Sequence, residues 1–167
     1  MIRETVIEDS PRIAEIHVFG WRCAYKEFIS IDFLINEFTV KKREEKHREF
    51  LLNKDNESKT YVYEENNILK AFMTIGNCRD EDKTDQTFEI WGIYVDPLFQ
   101  RQNIGKQLVN YCVKEAKINK KNEIVLWVFE KNYASIKFYE KMGFSPDKKV
   151  KWIEHFSENS IRMVKSL

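Results

Sequence analysis

Residues 123–129 read Glu-Ile-Val-Leu-Trp-Val-Phe. A strand with one wet face alternates apolar and polar side chains, and this one does not. It must therefore be covered on both faces, which is the habit of strands in parallel sheets flanked by helices. The preceding segment supplies such a helix. From Gly105 to about Asn119, the residues Leu108, Val109, Cys112, Val113 and Ala116 fall on one face. Ahead of it lies another long strand, residues 87–95, closed by Asp96-Pro97. Strand, helix, strand is a βαβ unit of expected right-handed crossover. The predicted class is mixed α/β around one central sheet.

The remaining elements are predicted around that unit. Residues 2–6 read as a short strand. Ser10-Pro11 starts a helix, a cap residue followed by proline at the first helical position, with Ile13, Ile16, His17, Gly20 and Trp21 at helical spacing. Residues 30–37 give a second short helix and residues 39–52 a charged third. Strands at 60–64 and 68–76 flank Glu65-Asn66-Asn67, a hairpin turn whose asparagines tolerate left-handed backbone. Residues 77–86 form a polar, mostly acidic loop, read either as solvated or as an attractor of a cationic amine. A helix at 132–142 stops at Gly143, in a position that wants positive φ, followed by apolar Phe144. Segments 152–156 and 160–165 close the chain as an antiparallel pair. No repeat or linker interrupts the sequence, so a single domain over residues 1–167 is expected.

Composition removes several function classes. With 28 Lys+Arg against 27 Asp+Glu the net charge is +1, which argues against a nucleic-acid binder. No apolar run approaches the roughly 20 residues that span a bilayer. The start, Met-Ile-Arg-Glu-Thr-Val, lacks the layout of a secretory signal. Cys23, Cys78 and Cys112 fit neither a disulfide framework nor a zinc spacing, and His17, His47 and His155 stand apart. A cytoplasmic protein without a metal is expected.

Three constellations bear on chemistry. Gln100-Arg101-Gln102-Asn103-Ile104-Gly105-Lys106 follows a strand and opens a helix. Backbone N–H groups there converge, and the helix dipole adds partial positive charge, which suits a diphosphate. An ordinary βα turn with Asn103 as cap reads the same. Neither the Walker pattern nor the two-glycine dinucleotide fingerprint is present. Next, Asn132 sits at a helix entry, with Ser135 and Tyr139 four apart on one face. Asn132 as a plain cap and Tyr139 as a half-buried aromatic are the simpler readings. Last, Glu89 is an acid in an apolar strand, on the face of Trp91, Ile93 and Val95, with Gly92 mid-strand suggesting a bulge. A surface position at the strand start would also explain Glu89.

Together these segments resemble the GNAT superfamily of acetyl-CoA-dependent N-acetyltransferases. The family loop Gln/Arg-x-x-Gly-x-Gly/Ala is matched by Gln100, Ile104 and Gly105. Asn103 stands where the first glycine is usual, and asparagine adopts the same backbone conformation. The pattern Asn-x-x-Ala/Ser-x-x-Phe-Tyr…Gly-Phe is matched by Asn132, Ser135, Phe138, Tyr139, Gly143 and Phe144. The resemblance is concentrated in residues 87–145.

The resemblance implies a GNAT fold: one mixed sheet of about six to seven strands, splayed at the acetyl-CoA site, with about four to five helices. It implies that backbone groups of Ile93, Tyr94 and Val95 bond the pantetheine. Gln100, Arg101, Gln102, Asn103, Ile104, Gly105 and Lys106 would then hold the pyrophosphate, and Asn132 and Ser135 would line the cofactor. It implies direct attack of an amine on the thioester, with Tyr139 as general acid and Glu89 as base. The implied acceptor is a primary amine on a small molecule: a polyamine, an amino acid or an antibiotic-like amine. A protein N-terminus or lysine is the alternative, and a non-catalytic acyl-CoA sensor the second. Trp21, Tyr25 and Phe28 are candidates for the acceptor wall, ordinary helix packing being the other reading. A homodimer is a family-level expectation. No nucleic-acid or membrane partner is expected.

Overall fold

The computed structural model describes residues 1–53 and 57–167. Seven strands form one mixed sheet: β1 (Ile2–Glu4), β2 (Lys59–Glu65), β3 (Ile68–Asn77), β4 (Thr87–Val95), β5 (Glu123–Phe129), β6 (Ser145–Ile153) and β7 (Glu158–Ser166). Their order across the sheet is β1-β2-β3-β4-β5-β7-β6. The α-helices are α1 (Ser10–Tyr25), α2 (Val40–Leu52), α3 (Ile104–Ile118) and α4 (Tyr133–Lys141). Among the described residues, no helix is long and apolar enough to cross a membrane. The residues group into two compact units, 1–74 with 93–108, and 75–92 with 109–167.

In the first unit, β1 pairs antiparallel with β2 in the register Ile2↔Tyr63. Arg3 clamps this edge, reaching Asp9 at 2.8 Å and Glu64 at 2.8 Å. Helix α1 presents Ile13 and Ile16 to Val62 and Phe72, with Leu69 and Tyr94 packed against them. Burying each such side chain contributes about 1.5–3 kcal/mol. The β2–β3 turn holds Asn66 at φ 54° and Asn67 at φ 59°, the left-handed pair that a two-residue hairpin needs. Thr39 caps α2 by accepting the Lys42 N–H at 3.4 Å. Two expectations shift. The strand read at 2–6 ends at Glu4. The short helix read at 30–37 is a π-helical turn, Phe33–Glu37, in which the Phe38 N–H reaches back five residues to the Phe33 carbonyl at 2.8 Å. That widened turn buries Leu34.

In the second unit, β5 is covered on both faces, with Ile124, Val125, Leu126 and Val128 all buried. It pairs parallel with β4 from Thr87↔Glu123 to Ile90↔Leu126, and antiparallel with β7 along its whole length. Helix α4 ends in a Schellman cap. The Gly143 N–H bonds the Glu140 carbonyl at 2.9 Å, and the Phe144 N–H bonds the Tyr139 carbonyl at 3.0 Å. Gly143 takes φ 84°, which a side chain would resist.

The last hairpin corrects the sequence reading. The penultimate strand runs Ser145–Ile153, and residues 154–156 form a 3-10 turn rather than strand. Ser-Pro-Asp-Lys-Lys carries no alternating apolar pattern because β6 is the sheet edge, where charge and an irregular register keep other strands from pairing.

Candidate active site

In the first unit, β4 runs out through Ile93, Tyr94 and Val95 into a turn fixed by Asp96. The buried Asp96 carboxylate accepts the Leu98 N–H at 2.8 Å and pairs with Arg12. Its own N–H bonds the Lys70 carbonyl at 2.9 Å. Gln100 reaches back to the Val95 carbonyl at 3.4 Å. Two residues of the following loop are left-handed, Arg101 at φ 61° and Asn103 at φ 62°. The Asn103 carbonyl accepts the Gln107 N–H at 3.0 Å, which starts α3. Buried Ile104 anchors the turn, while Arg101, Gln102, Asn103 and Lys106 are exposed. The first turn of a helix has N–H groups with no partner in the helix, and here two exposed cations flank them. This arrangement suits an anionic ligand such as a diphosphate. Asn103 thus takes a backbone that glycine would otherwise supply. Left-handed Arg101 was not legible in the sequence, since arginine carries no such preference.

Tyr94 turns its side chain into an aromatic cluster. Its hydroxyl accepts from Trp21 Nε1 at 2.9 Å, and its ring lies 4.4 Å from His17 and 5.3 Å from Phe72. Burial raises its pKa. Gly20 lets α1 approach, since a Cβ there would meet the Tyr94 ring at 3.3 Å. Trp21 stacks on Phe38 at 4.3 Å and meets Tyr25 edge-on at 4.8 Å, and Tyr25 lies 5.6 Å from Phe28. The three candidate wall residues thus form one packed aromatic group. His17 sits within it, pushed down to about 3 first by burial and then by the charges of Arg43 and His47.

In the second unit, Asn132 caps α4, its side chain accepting the Ser135 N–H at 3.2 Å. Tyr139 is buried one turn further on, its ring 5.7 Å from Phe144. Tyr139 and Phe144 are also the two ends of the long Schellman bond. The Gly-Phe that follows the helix therefore orients the tyrosine, which gives a physical reason for the spacing.

Glu89 is not at the surface. It is 2% exposed and fully engaged by Arg79. The Arg79 backbone N–H and Nε each donate to one carboxylate oxygen at 3.0 Å, and Nη2 donates to the other at 2.5 Å. Arg79 also lies over the Trp91 ring, 4.1 Å from its centroid. Beside this pair opens a cleft of about 340 Å³, lined by Arg79, Asp80, Glu89, Trp127, Lys151, Ile153 and Ser160.

The acidic loop at 77–86 is neither simply solvated nor free to attract an amine. Buried Arg162 in β7 binds Asp80 at 3.0 Å, Asp82 at 2.7 Å and Asp147 at 2.7 Å. Asp80 also accepts from Lys151 at 2.6 Å and Trp127 Nε1 at 3.0 Å. Burial alone would raise the Asp80 carboxyl, but hydrogen bonds from Lys151, Arg162 and Trp127 hold it below the usual range. Sequence reasoning missed this cluster. Its one signal was an arginine set between the apolar Ile161 and Met163. Among the described residues, no group of three His, Cys, Asp or Glu is placed to hold a metal ion.

A sequence model of the acetyltransferase (GNAT) family matches residues 21–144. An uncharacterized N-acetyltransferase of Bacillus subtilis, YuaI, is 30% identical over 147 residues, covering 88% of this chain and 80% of its own. The L-amino acid N-acyltransferase MnaT of Escherichia coli is 29% identical over 83 residues, about half of each chain. Among solved structures, the PaiA N-acetyltransferase of Thermoplasma acidophilum, in complex with coenzyme A, superposes with a TM-score of 0.79 at 22% identity. That match covers 100% of this chain and 98% of the other. By the family model over residues 21–144 and the B. subtilis relative along most of its length, the chain belongs to the GNAT acetyltransferase family and is an acyltransferase.

Proposed function

We propose that the protein transfers the acetyl group of acetyl-CoA to a primary amine of a small molecule, with amino acids as the leading acceptors. The observation that carries this reading is the loop opening α3. Left-handed Arg101 and Asn103 and exposed Lys106 fit a diphosphate despite the missing first glycine. Acetyl-CoA supplies an activated thioester. The backbone N–H groups of residues 101–106 hold its pyrophosphate, and the backbone of Ile93, Tyr94 and Val95 bonds its pantetheine. Asn132 and Ser135 position it from α4. Tyr139 donates a proton to the departing thiolate, whose conjugate thiol has an ordinary pKa near 8.5. An alkylammonium near 10.4 must lose a proton before it attacks, and the Glu89 carboxylate takes it once Arg79 yields. Amino acids lead because two relatives that match about half of this chain are named for acting on L-amino acids, in E. coli, and on L-methionine sulfoximine and L-methionine sulfone, in Salmonella typhimurium.

Calorimetry with acetyl-CoA, paired with thiol release over a panel of amines, tests the proposal. Binding with amine-dependent release is expected. Binding with release only on peptide or protein amines would move the acceptor to a polypeptide, and binding with no release on any amine would leave a sensor. Absence of binding would remove the cosubstrate.

A further inference from the structure

We infer that Arg79 and Lys151 read a carboxylate on the acceptor, so that the substrates are zwitterionic amino acids rather than polyamines. The inference rests on the transferase reading above and names its substrate class.

The argument comes from an asymmetry of exposure. The cleft beside Glu89 is lined by two cations and two carboxylates. The carboxylates are hidden: the Glu89 side chain is 2% exposed and that of Asp80 5%. The cations are not: Arg79 is 56% exposed and Lys151 51%. Counted as a whole the group is neutral, but a molecule arriving from water meets the two cations first. A polyamine is repelled there, and an anionic group is attracted. Trp127 and Ile153 give the same cleft apolar surface for the rest of the ligand.

Donor counting sharpens the point. A guanidinium has five N–H groups. Arg79 spends its Nε proton and one from Nη2 on Glu89, and keeps three others for a carboxylate, which prefers a two-point contact with arginine. Lys151 has three donors and gives one to Asp80. Neither cation is exhausted by its internal partner.

A zwitterion is also the ligand that can separate the Arg79–Glu89 pair without stranding a charge. Removing Arg79 alone would leave Glu89 buried and uncompensated, which is strongly unfavourable. An amino acid offers its carboxylate to Arg79 and its ammonium to Glu89, so one internal ion pair becomes two intermolecular ones. An amine without a carboxylate offers no replacement for Glu89 at Arg79. Arg79 is thus a specificity-determining residue, and the pair is broken by the ligand that satisfies both halves.

The test compares free L-amino acids (leucine, methionine, phenylalanine) with their C-terminal amides and with spermidine, by thiol release from acetyl-CoA. The free acids are expected to exceed the amides and spermidine at least tenfold in kcat/KM. In Arg79→Met, the acid-to-amide ratio should collapse toward one, chiefly through KM for the acids. Because that variant strands Glu89, the double variant Arg79→Met/Glu89→Gln, checked for folding by its melting curve, should show the same collapse in the ratio of acid to amide affinity, read by calorimetry because Glu89→Gln also removes the proposed base. Amides or spermidine matching the acids in the unaltered protein would overturn the inference, as would an acid-to-amide ratio that survives both variants. Acetyl-CoA binding separates the two levels. If acetyl-CoA binds and amines without a carboxylate are preferred, only the carboxylate reading fails. If it does not bind, the transferase reading fails and takes this one with it.

Discussion

Acidification from pH 7 to pH 5 is expected to remove about 4 kcal/mol of stability, through two imidazoles held neutral in the first unit. His17 is pushed down to about 3 and His47 to about 4, in both cases chiefly by burial. His47 Nδ1 is spent on Ser10 at 3.1 Å, and buried Nε2 has no hydrogen-bond partner among the described residues, so a proton there would gain no acceptor. In the unfolded chain both rings titrate near 6.5. Between the folded and unfolded values the unfolded state binds more protons, so stability is intact above about pH 6.5 and falls as pH drops through that window. At pH 5 the loss is about 2 kcal/mol for each imidazole, a large share of the 5–15 kcal/mol that ordinary domains possess. Carboxylates do not confuse the window. Asp9, Asp80 and Asp82 are held below their ordinary values, so their contribution is lost only below about pH 4. The assay is urea unfolding at pH 7, 6.5, 6, 5.5 and 5, with His17→Leu in parallel. The variant should lose about half of the pH dependence, whatever its absolute stability. A flat profile between pH 6.5 and 5, or an unaltered slope in His17→Leu, would refute the reasoning.

Three further outcomes are expected. Tyr139→Phe should bind acetyl-CoA normally by calorimetry and release thiol about 100-fold more slowly, the scale of a lost general acid; equal turnover would take Tyr139 out of that role. Arg162→Met takes one of three side-chain partners from the buried Asp80, leaving Lys151 and Trp127, and should cost about 1.5–3 kcal/mol in urea unfolding, whereas exposed pairs such as Lys59–Glu4 should cost under about 1 kcal/mol when broken. Gly143→Ala should lower stability by about 1–2 kcal/mol in thermal melting because of its φ of 84°. The contact its Cβ would make at 2.7 Å is with the Lys165 Nζ, a mobile tip that can move away.

What the sequence made legible was local chemistry. The unbroken apolar run of β5 announced its two-sided burial, and it is buried so. Asn66-Asn67 and Gly143 announced left-handed backbone, and all three residues take it. The family motif placed Asn103 and Tyr139 on a loop and a helix that the structure contains. What stayed hidden was distant pairing. Arg162 meets acids 80 and 82 residues earlier, and no periodicity encodes that. Glu89 looked like a strand-start acid because its partner lies ten residues away, where only the fold brings it back. The edge strand β6 was masked for a different reason: the polar residues that protect an edge are the residues that make a segment read as loop.

The loop that opens α3 holds Arg101 and Asn103 at left-handed positions where glycine would have done. A glycine loop is slack before its ligand arrives and must lose that freedom on binding. Side chains at two left-handed positions restrict the loop in advance, so less disorder remains to be removed when an anion docks. The strain is set against folding rather than against each encounter. Replacing Asn103 with glycine would relax the loop but return its wandering, and the change would register in the entropy of binding before it registered in affinity.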